Sequence, residues 1–277
     1  MTQSTSTRVQ GNLLIIGGAE DKTGDRLILR TFLKLAGGEQ SKICVMTVAT
    51  ARPEETGRTY LNVFRELGAA KVDVLHLSSR AQAFQEEAEG IISASTGVFF
   101  TGGDQLRITS TLGGTPVDKA LRHALARGAV IAGTSAGASA MSSVMIVEGR
   151  GEESPKKGAV RLAPGLRFLE NAVIDQHFAQ RGRIGRLLSA VSQNPYVLGI
   201  GVDEDTAILV SPTQVFRVIG SSSVTVVDGR SVLLTNVSEL SPQEPLALSH
   251  VVLHVLPQGF GFDLQSRQPF SPTPSIE

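Results

Sequence analysis

One serine lies where a catalytic nucleophile is expected. Val130-Ile131-Ala132 is apolar, and Gly133-Thr134-Ser135-Ala136-Gly137 follows it directly, which makes the pattern Gly-x-Ser-x-Gly. On a sharp turn from a strand into a helix the serine hydroxyl projects at the sheet edge, and only small neighbours leave space for the turn. A close-packed turn of small residues is the alternative, because serine is common just downstream. The spacing favours Ser135 as a nucleophile.

A nucleophilic serine needs a base that takes its proton, and one of the five histidines fits this role. His177 follows the apolar pair Val173-Ile174 in Asp175-Gln176-His177-Phe178, so it is expected at a strand end among hydrogen-bonding groups. A structural histidine with satisfied hydrogen bonds is the alternative. The remaining histidines are more simply packed or surface residues: His76, His123, His250 and His254.

The third member of such a site is an acid that orients the imidazole. Asp203-Glu204-Asp205 follows the apolar run 197–202. Because side chains alternate along an extended segment, either Glu204 or the outer pair faces the histidine, and not all three. The outer pair could also bind a divalent metal, but no companion ligands stand at metal-binding spacing, so no metal is predicted. The chain order of serine, histidine, acid excludes a plain α/β-hydrolase.

Two glycine motifs follow apolar runs and could expose backbone N–H groups. Thr101-Gly102-Gly103-Asp104-Gln105 comes after the run 97–100, and Gly103 together with Ala136 is predicted to form an oxyanion hole. Ile15-Ile16-Gly17-Gly18-Ala19 suggests dinucleotide binding only weakly, because the spacing G-x-G-x-x-G is missing. A Walker A motif is also missing, and no cofactor is predicted.

Three arginines follow the histidine closely: Arg181, Arg183 and Arg186. Guanidinium groups bind carboxylates with two parallel hydrogen bonds, so this cluster beside a nucleophile favours an anionic substrate. A solvated basic helix face is the alternative.

The elements that would position these residues alternate along the chain. Short aliphatic runs at 13–16, 43–48, 72–77, 97–100, 129–132 and 197–202 predict buried strands of a parallel sheet. Amphipathic segments at 26–36, 56–67, 81–92, 117–126 and 183–191 predict covering helices. After residue 206 the period changes to two, which predicts antiparallel strands. We therefore expect a mostly parallel, doubly wound α/β fold with an antiparallel β elaboration at the C-terminus. We expect one domain over 1–277, with a core at about 11–206 and the elaboration at about 207–270.

Composition sets limits on the function. Lys and Arg number 26 and Asp and Glu number 26, so the formal net charge of zero argues against a nucleic-acid partner held by bulk charge. The single cysteine, Cys44, has no partner for an intrachain disulfide. No signal segment stands at the N-terminus and no apolar stretch approaches the length of a membrane span. We expect a cytoplasmic protein without a membrane partner.

Taken together in order, six motifs resemble the cyanophycinase family of serine-type exopeptidases, which also includes aspartyl dipeptidase. The likeness runs from about residue 13 to about 206. The motifs are Gly17-Gly18-Ala19-Glu20-Asp21, Thr101-Gly102-Gly103-Asp104-Gln105-Leu106, Gly133-Thr134-Ser135-Ala136-Gly137-Ala138, Asp175-Gln176-His177-Phe178, Arg186-Leu187-Leu188-Ser189-Ala190 and Gly201-Val202-Asp203-Glu204-Asp205-Thr206.

The resemblance implies more than the residues do by themselves. It implies a class I glutamine-amidotransferase-like (flavodoxin-like) fold, a homodimer and a triad of Ser135, His177 and Glu204, which selects the middle acid. It implies cyanophycin as substrate, a poly-aspartate chain with arginine on each β-carboxyl, cleaved to β-Asp-Arg dipeptides. The positions that match the family's substrate pocket are Gln105, Asp175, Gln176, Arg181, Arg183 and Arg186. An aspartyl dipeptidase and a non-catalytic cyanophycin-binding protein are the alternatives.

Overall fold

The computed structural model describes residues 10–151 and 153–272 of the chain. Its helices are α1 Leu27–Leu35, α2 Pro53–Glu66, α3 Glu86–Ala94, α4 Gln105–Leu112, α5 Pro116–Ala126, α6 Ala136–Ala140 and α7 Ile184–Gln193. Its strands are β1 Leu13–Ile16, β2 Lys42–Met46, β3 Lys71–Leu75, β4 Gly97–Phe100, β5 Val130–Thr134, β6 Ser142–Gly149, β7 Val160–Pro164, β8 Leu169–Gln176, β9 Leu198–Val202, β10 Thr206–Val210, β11 Val215–Gly220, β12 Ser223–Asp228, β13 Val252–Pro257, β14 Gly261–Asp263 and β15 Gln268–Phe270.

The larger sheet has nine strands in the order β15-β14-β11-β10-β1-β5-β4-β2-β3. Strands β1, β5, β4, β2 and β3 are parallel to one another, and β1, β4 and β5 are buried along their whole length. Burial on both faces explains why β1, β4 and β5 are almost wholly apolar and do not alternate apolar with polar residues. The predicted α/β class with a parallel core and antiparallel C-terminal strands is confirmed.

A second sheet has six strands in the order β13-β12-β9-β8-β6-β7. Strands β6, β8 and β9 are parallel, whereas β7 and β12 run antiparallel to their neighbours. The strand predicted at 197–202 belongs to this sheet and not to the one that carries β5. An apolar run predicts that a strand is buried, but it does not predict which strand pairs with it.

The C-terminal strands extend both sheets. Strands β10, β11, β14 and β15 continue the larger sheet and β12 and β13 continue the smaller one, all with antiparallel pairing. The expectation of one domain with a core at about 11–206 stays a prediction. One helix differs: the segment predicted at 81–92 is a 3-10 turn at Arg80–Phe84 followed by α3, because the chain is extended at Gln85.

The junction between the two sheets positions the candidate site. The five-residue helix α6 connects the carboxyl end of β5 in the larger sheet to β6 in the smaller one. The carboxyl ends of β1, β4 and β5 therefore meet those of β8 and β9. Ligands of parallel α/β sheets gather at such an edge. Across 10–151 and 153–272, no helix has the length and apolar character that crossing a bilayer requires.

Candidate active site

Ser135 stands at the sharp turn between β5 and α6. Its backbone has φ 53° and ψ −112°, and its N–H donates to the carbonyl of Ile16 at 3.0 Å. A Cβ on Gly133 would lie 2.5 Å from backbone atoms of Gly137, and a Cβ on Gly137 would lie 2.6 Å from the carbonyl oxygen of Phe100. The flanking glycines are thus required by close backbone approach, and the strained turn exposes the serine hydroxyl as predicted.

The three residues of the predicted triad form a hydrogen-bonded series with His177 in the middle. Ser135 Oγ is 3.0 Å from His177 Nε2, and His177 Nδ1 is 2.6 Å from Glu204 Oε1. When Nδ1 carries the proton and donates it to the carboxylate, Nε2 is free to accept from the serine. This geometry can deprotonate the serine and stabilise the imidazolium that forms.

The acidic segment 203–205 directs its middle and outer side chains to different partners, but it is a turn between β9 and β10 and not the expected extended chain, since Asp205 has φ 46°. Glu204 faces His177, while Asp203 Oδ1 accepts from the N–H of Ala179 at 3.0 Å. Asp205 Oδ1 accepts from the N–H of Asp21 at 2.9 Å. The outer pair therefore fixes the two loops that flank the histidine. No group of three or more potential metal-ligating side chains occurs among the residues described.

Gly17 and Gly18, which follow β1, contact His177 through its backbone and its imidazole ring. His177 N–H donates to the carbonyl of Gly17 at 2.8 Å. A Cβ on Gly18 would lie 2.4 Å from His177 Cε1, and Gly18 has φ +101°, a conformation that side chains other than hydrogen disfavour. Sequence reasoning weighed this motif for dinucleotide binding and as part of the family resemblance, and it missed the contact with the imidazole.

Burial lowers the pKa of His177 below its ordinary value. The hydrogen bond from His177 to Glu204 opposes this effect in part, and the nearby positive charges of Arg181 and Arg183 add to it. A histidine with a lowered pKa is neutral at pH 7, which is the form that accepts a proton.

Two backbone amides are available beside the serine. Ala136 is the first residue of α6, where an N–H has no partner within the helix, and a Cβ on Gly102 would lie 3.3 Å from Ser135 Cβ. Gly103 follows with φ +142° and packs against the backbone of Ala49. Within the described ranges neither Gly103 nor Ala136 donates its N–H to another group. Their role as oxyanion donors stays a prediction.

A buried ion cluster lies next to the triad. Asp175 is fully buried, and its carboxylate accepts from Arg186 Nε at 2.7 Å and from Arg183 Nη1 at 3.3 Å. Two guanidinium groups therefore share one carboxylate, and Arg183 Nε is buried without a hydrogen-bond partner. Burial, helped by the charges of Arg186 and Arg181 and opposed by that of Asp175, lowers the pKa of Arg183 to about 10. The cluster keeps an excess positive charge beside the serine.

The other predicted pocket residues lie around this cluster. Gln176 Oε1 accepts from Ser135 Oγ at 3.4 Å, and Gln105 Nε2 donates to the carbonyl of Ile146 at 2.6 Å. Arg181 is exposed and its N–H donates to the carbonyl of His177. Five of the six predicted pocket residues are joined to the triad or to one another by these contacts, whereas the hydrogen bond of Gln105 is to β6; the binding of substrate by all six stays a prediction.

A further acid supports the turn that carries the serine. Glu20 is 3% exposed, and its carboxylate accepts from Thr134 Oγ1 at 2.5 Å and from the Tyr60 hydroxyl. Lys22 Nζ lies 3.0 Å from the same carboxylate. The sequence signal is an acid four residues after the end of a buried strand, in Gly17-Gly18-Ala19-Glu20, and sequence reasoning assigned this acid no role of its own.

The fold and the site together are those of a serine hydrolase of the α/β class. Residues 13–218 match peptidase family S51, and the chain belongs to this family. It is 42% identical over 260 residues to cyanophycinase of Synechococcus elongatus, covering 94% of this chain and 81% of the relative. It is 38% identical over 264 residues to cyanophycinase of Geminocystis herdmanii, covering 95% and 97%.

The crystal structure of a peptidase from an acI-B1 Actinobacterium has the same fold. The TM-score is 0.65 with 19% sequence identity, and the match covers 90% of this chain and 98% of that one. At this identity the likeness supports the fold.

Proposed function

We propose that this protein is a serine-type exopeptidase that hydrolyses cyanophycin to β-Asp-Arg dipeptides. The observation that carries the proposal is the hydrogen-bonded series Ser135, His177 and Glu204 beside a cluster with excess positive charge. Identity of 38–42% to cyanophycinases over most of the chain supports the choice of substrate.

The mechanism follows from the hydrogen bonds. His177 Nε2 takes the proton of Ser135 Oγ as the oxygen attacks the carbonyl carbon of a terminal aspartyl residue, and Glu204 stabilises the imidazolium. The N–H groups of Gly103 and Ala136 donate to the oxyanion. His177 then gives its proton to the leaving amine, which leaves an ester on Ser135. A water molecule, deprotonated by His177, hydrolyses the ester and frees the serine.

The charge of the pocket suits this substrate. Each unit of the polymer consists of one aspartyl residue of the backbone and an arginine on its β-carboxyl. The arginine has its own carboxylate and guanidinium group. The shared carboxylate of Asp175 leaves one of its two guanidinium partners uncompensated, and a substrate carboxylate supplies the missing charge. Gln105, Gln176 and the exposed Arg181 provide further polar contacts with the unit.

A homodimer and a cytoplasmic location are further parts of the proposal. Both come from the sequence and its family resemblance. Sedimentation of the purified protein and fractionation of cells that express it test them directly.

The test is product analysis by mass spectrometry. Wild-type protein and the Ser135→Ala variant are each incubated with insoluble cyanophycin and, separately, with short α-Asp dipeptides. The proposal predicts β-Asp-Arg in the supernatant of the wild type alone. Cleavage of the α-Asp dipeptides with no release from cyanophycin would favour the aspartyl dipeptidase, and binding of the polymer without cleavage of either substrate would favour the non-catalytic binder.

A further inference from the structure

A cavity of about 560 Å³ lies at the end of the smaller sheet and has no part in the mechanism above. Its charged lining consists of two acids and two arginines: Glu148, Glu153, Arg150 and Arg161. Glu148 lies at the end of β6, Arg161 lies at the start of β7, and the other two lie in the connection between these strands; none of the four belongs to the six sequence motifs.

The sheet order places this cavity beside the triad. Strands β9, β8, β6 and β7 are consecutive neighbours; Glu204 follows β9, His177 follows β8, Gly149 ends β6 and Val160 begins β7. Because β6, β8 and β9 are parallel and β7 is antiparallel, these four points share one edge of the sheet. Neighbouring strands are about 4.8 Å apart, so the cavity begins roughly 5–10 Å from the end of β8. An extended chain covers this distance in about two or three residues.

One lining residue of the cavity, Gly149, is hydrogen-bonded to the arginine cluster beside the triad. Arg186 Nη1 donates to the carbonyl of Gly149 at 2.8 Å, while its other nitrogens bind Asp175. A Cβ on Gly151 would lie 1.9 Å from the carbonyl oxygen of Arg181, and a Cβ on Gly185 would lie 1.9 Å from that of Glu153. The loop residues Gly151 and Glu153 therefore pack by backbone contact on the segment that follows the histidine, which fixes this side of the cavity relative to that segment.

The charges of the lining are mixed and balanced. Glu148 and Arg161 lie opposite each other on β6 and β7 and form an ion pair at 2.5 Å, yet their side chains are 67% and 59% exposed. Their remaining donor and acceptor positions face solvent. A ligand of one charge sign gains from half of this lining and is repelled by the other half. A chain that carries a carboxylate and a guanidinium group on every unit can pair with both.

We propose that this cavity is an additional subsite that binds the units of the polymer chain next to the unit being cleaved. The proposal rests on the proposed function, because that function supplies a substrate of repeating zwitterionic units. The subsite makes cleavage dependent on chain length: a substrate long enough to reach β7 gains contacts that a two-unit substrate does not make.

The test compares substrates of defined length. The kcat/KM for dipeptide release is measured on oligomers of two and of five β-Asp-Arg units, for wild type and for two double variants. Glu148→Gln with Arg161→Gln removes both charges, and Glu148→Arg with Arg161→Glu keeps the ion pair but reverses it. For both we expect the five-unit to two-unit ratio of kcat/KM to fall by about three- to fivefold, the size expected for lost charge pairs at an exposed site.

The matched control is an exposed ion pair at the opposite edge of the same sheet. Arg167 Nε lies 3.1 Å from Glu170 Oε1, near the start of β8. Arg167→Gln with Glu170→Gln should keep the wild-type ratio. A ratio within twofold of wild type in both Glu148/Arg161 variants would overturn the subsite. No release from any oligomer by the wild type would instead overturn the proposed function, and with it the polymer as occupant of the cavity.

Binding to the Ser135→Ala protein gives a second measurement that does not need turnover. The five-unit oligomer should bind more tightly than the two-unit oligomer, and the Glu148→Gln and Arg161→Gln changes should remove most of this difference. An undiminished difference would contradict the subsite.

Discussion

The Gly18→Ala substitution tests whether the glycine after β1 positions the catalytic histidine. The added methyl group would lie 2.4 Å from His177 Cε1 and 2.5 Å from Nε2, so either the imidazole or the loop must shift by about 1 Å to restore van der Waals contact. Misplacement of a catalytic group by about 1 Å costs on the order of 100-fold in rate. We expect kcat for dipeptide release to fall by about this factor.

The control for Gly18→Ala is Gly68→Ala. Gly68 has φ +95°, close to the φ of +101° at Gly18, but a Cβ there meets nothing within 4 Å. Gly68→Ala should lose about 1–2 kcal/mol in free energy of unfolding, measured by urea titration, because alanine disfavours positive φ, and Gly18→Ala should lose at least as much because its methyl group also meets the imidazole. Only Gly18→Ala should lose activity. A wild-type kcat in Gly18→Ala, or an equal loss in both variants, would refute a positioning role for Gly18.

Three further predictions concern groups around the triad. Asp175→Asn leaves buried guanidinium groups without a counterion, so the free energy of unfolding should fall by about 3–5 kcal/mol in a urea titration, and a loss below about 1 kcal/mol would contradict the buried pairing. Arg181→Gln removes a charge that lowers the pKa of His177. Since the base must be neutral, the acid limb of the pH profile of kcat/KM should move to higher pH, and an unmoved limb would exclude this coupling. Glu20→Ala leaves the Tyr60 hydroxyl and a threonine hydroxyl buried without their acceptor, which should cost about 2–3 kcal/mol by the same titration; an unchanged unfolding midpoint would contradict it.

Much of the fold and of the candidate site could be predicted from local patterns in the sequence. The strand predicted at 97–100 has those bounds in the structure, and the turn at Ser135 is predictable because the strand, the glycines and the serine lie within one short segment. Alternation along an extended chain predicted that Glu204 and its two neighbours have different partners, whereas Glu204 and Asp205 lie in a turn that the sequence analysis did not predict. Alternation does not say which side faces the histidine, because that depends on how β9 lies beside β8.

Contacts between distant segments account for what the sequence did not reveal. Gly18 and His177 are far apart in the chain, and nothing near either residue reports their contact. Arg183 and Arg186 were predicted beside the histidine, but their burial against Asp175 depends on α7 covering the end of β8. The strand at 197–202 was expected in the parallel sheet with β5, since apolar runs look alike in either sheet.

The most direct test of the central claim is a double-mutant cycle on the triad. The kcat for β-Asp-Arg release is measured for wild type, Ser135→Ala, His177→Ala and the protein with both changes. If the serine and histidine act as one nucleophilic unit, each single change should lower kcat by about 10⁴-fold or more, and the double change should lower it no further. Wild-type turnover in Ser135→Ala, or single effects that multiply in the double variant, would contradict a serine nucleophile activated by His177.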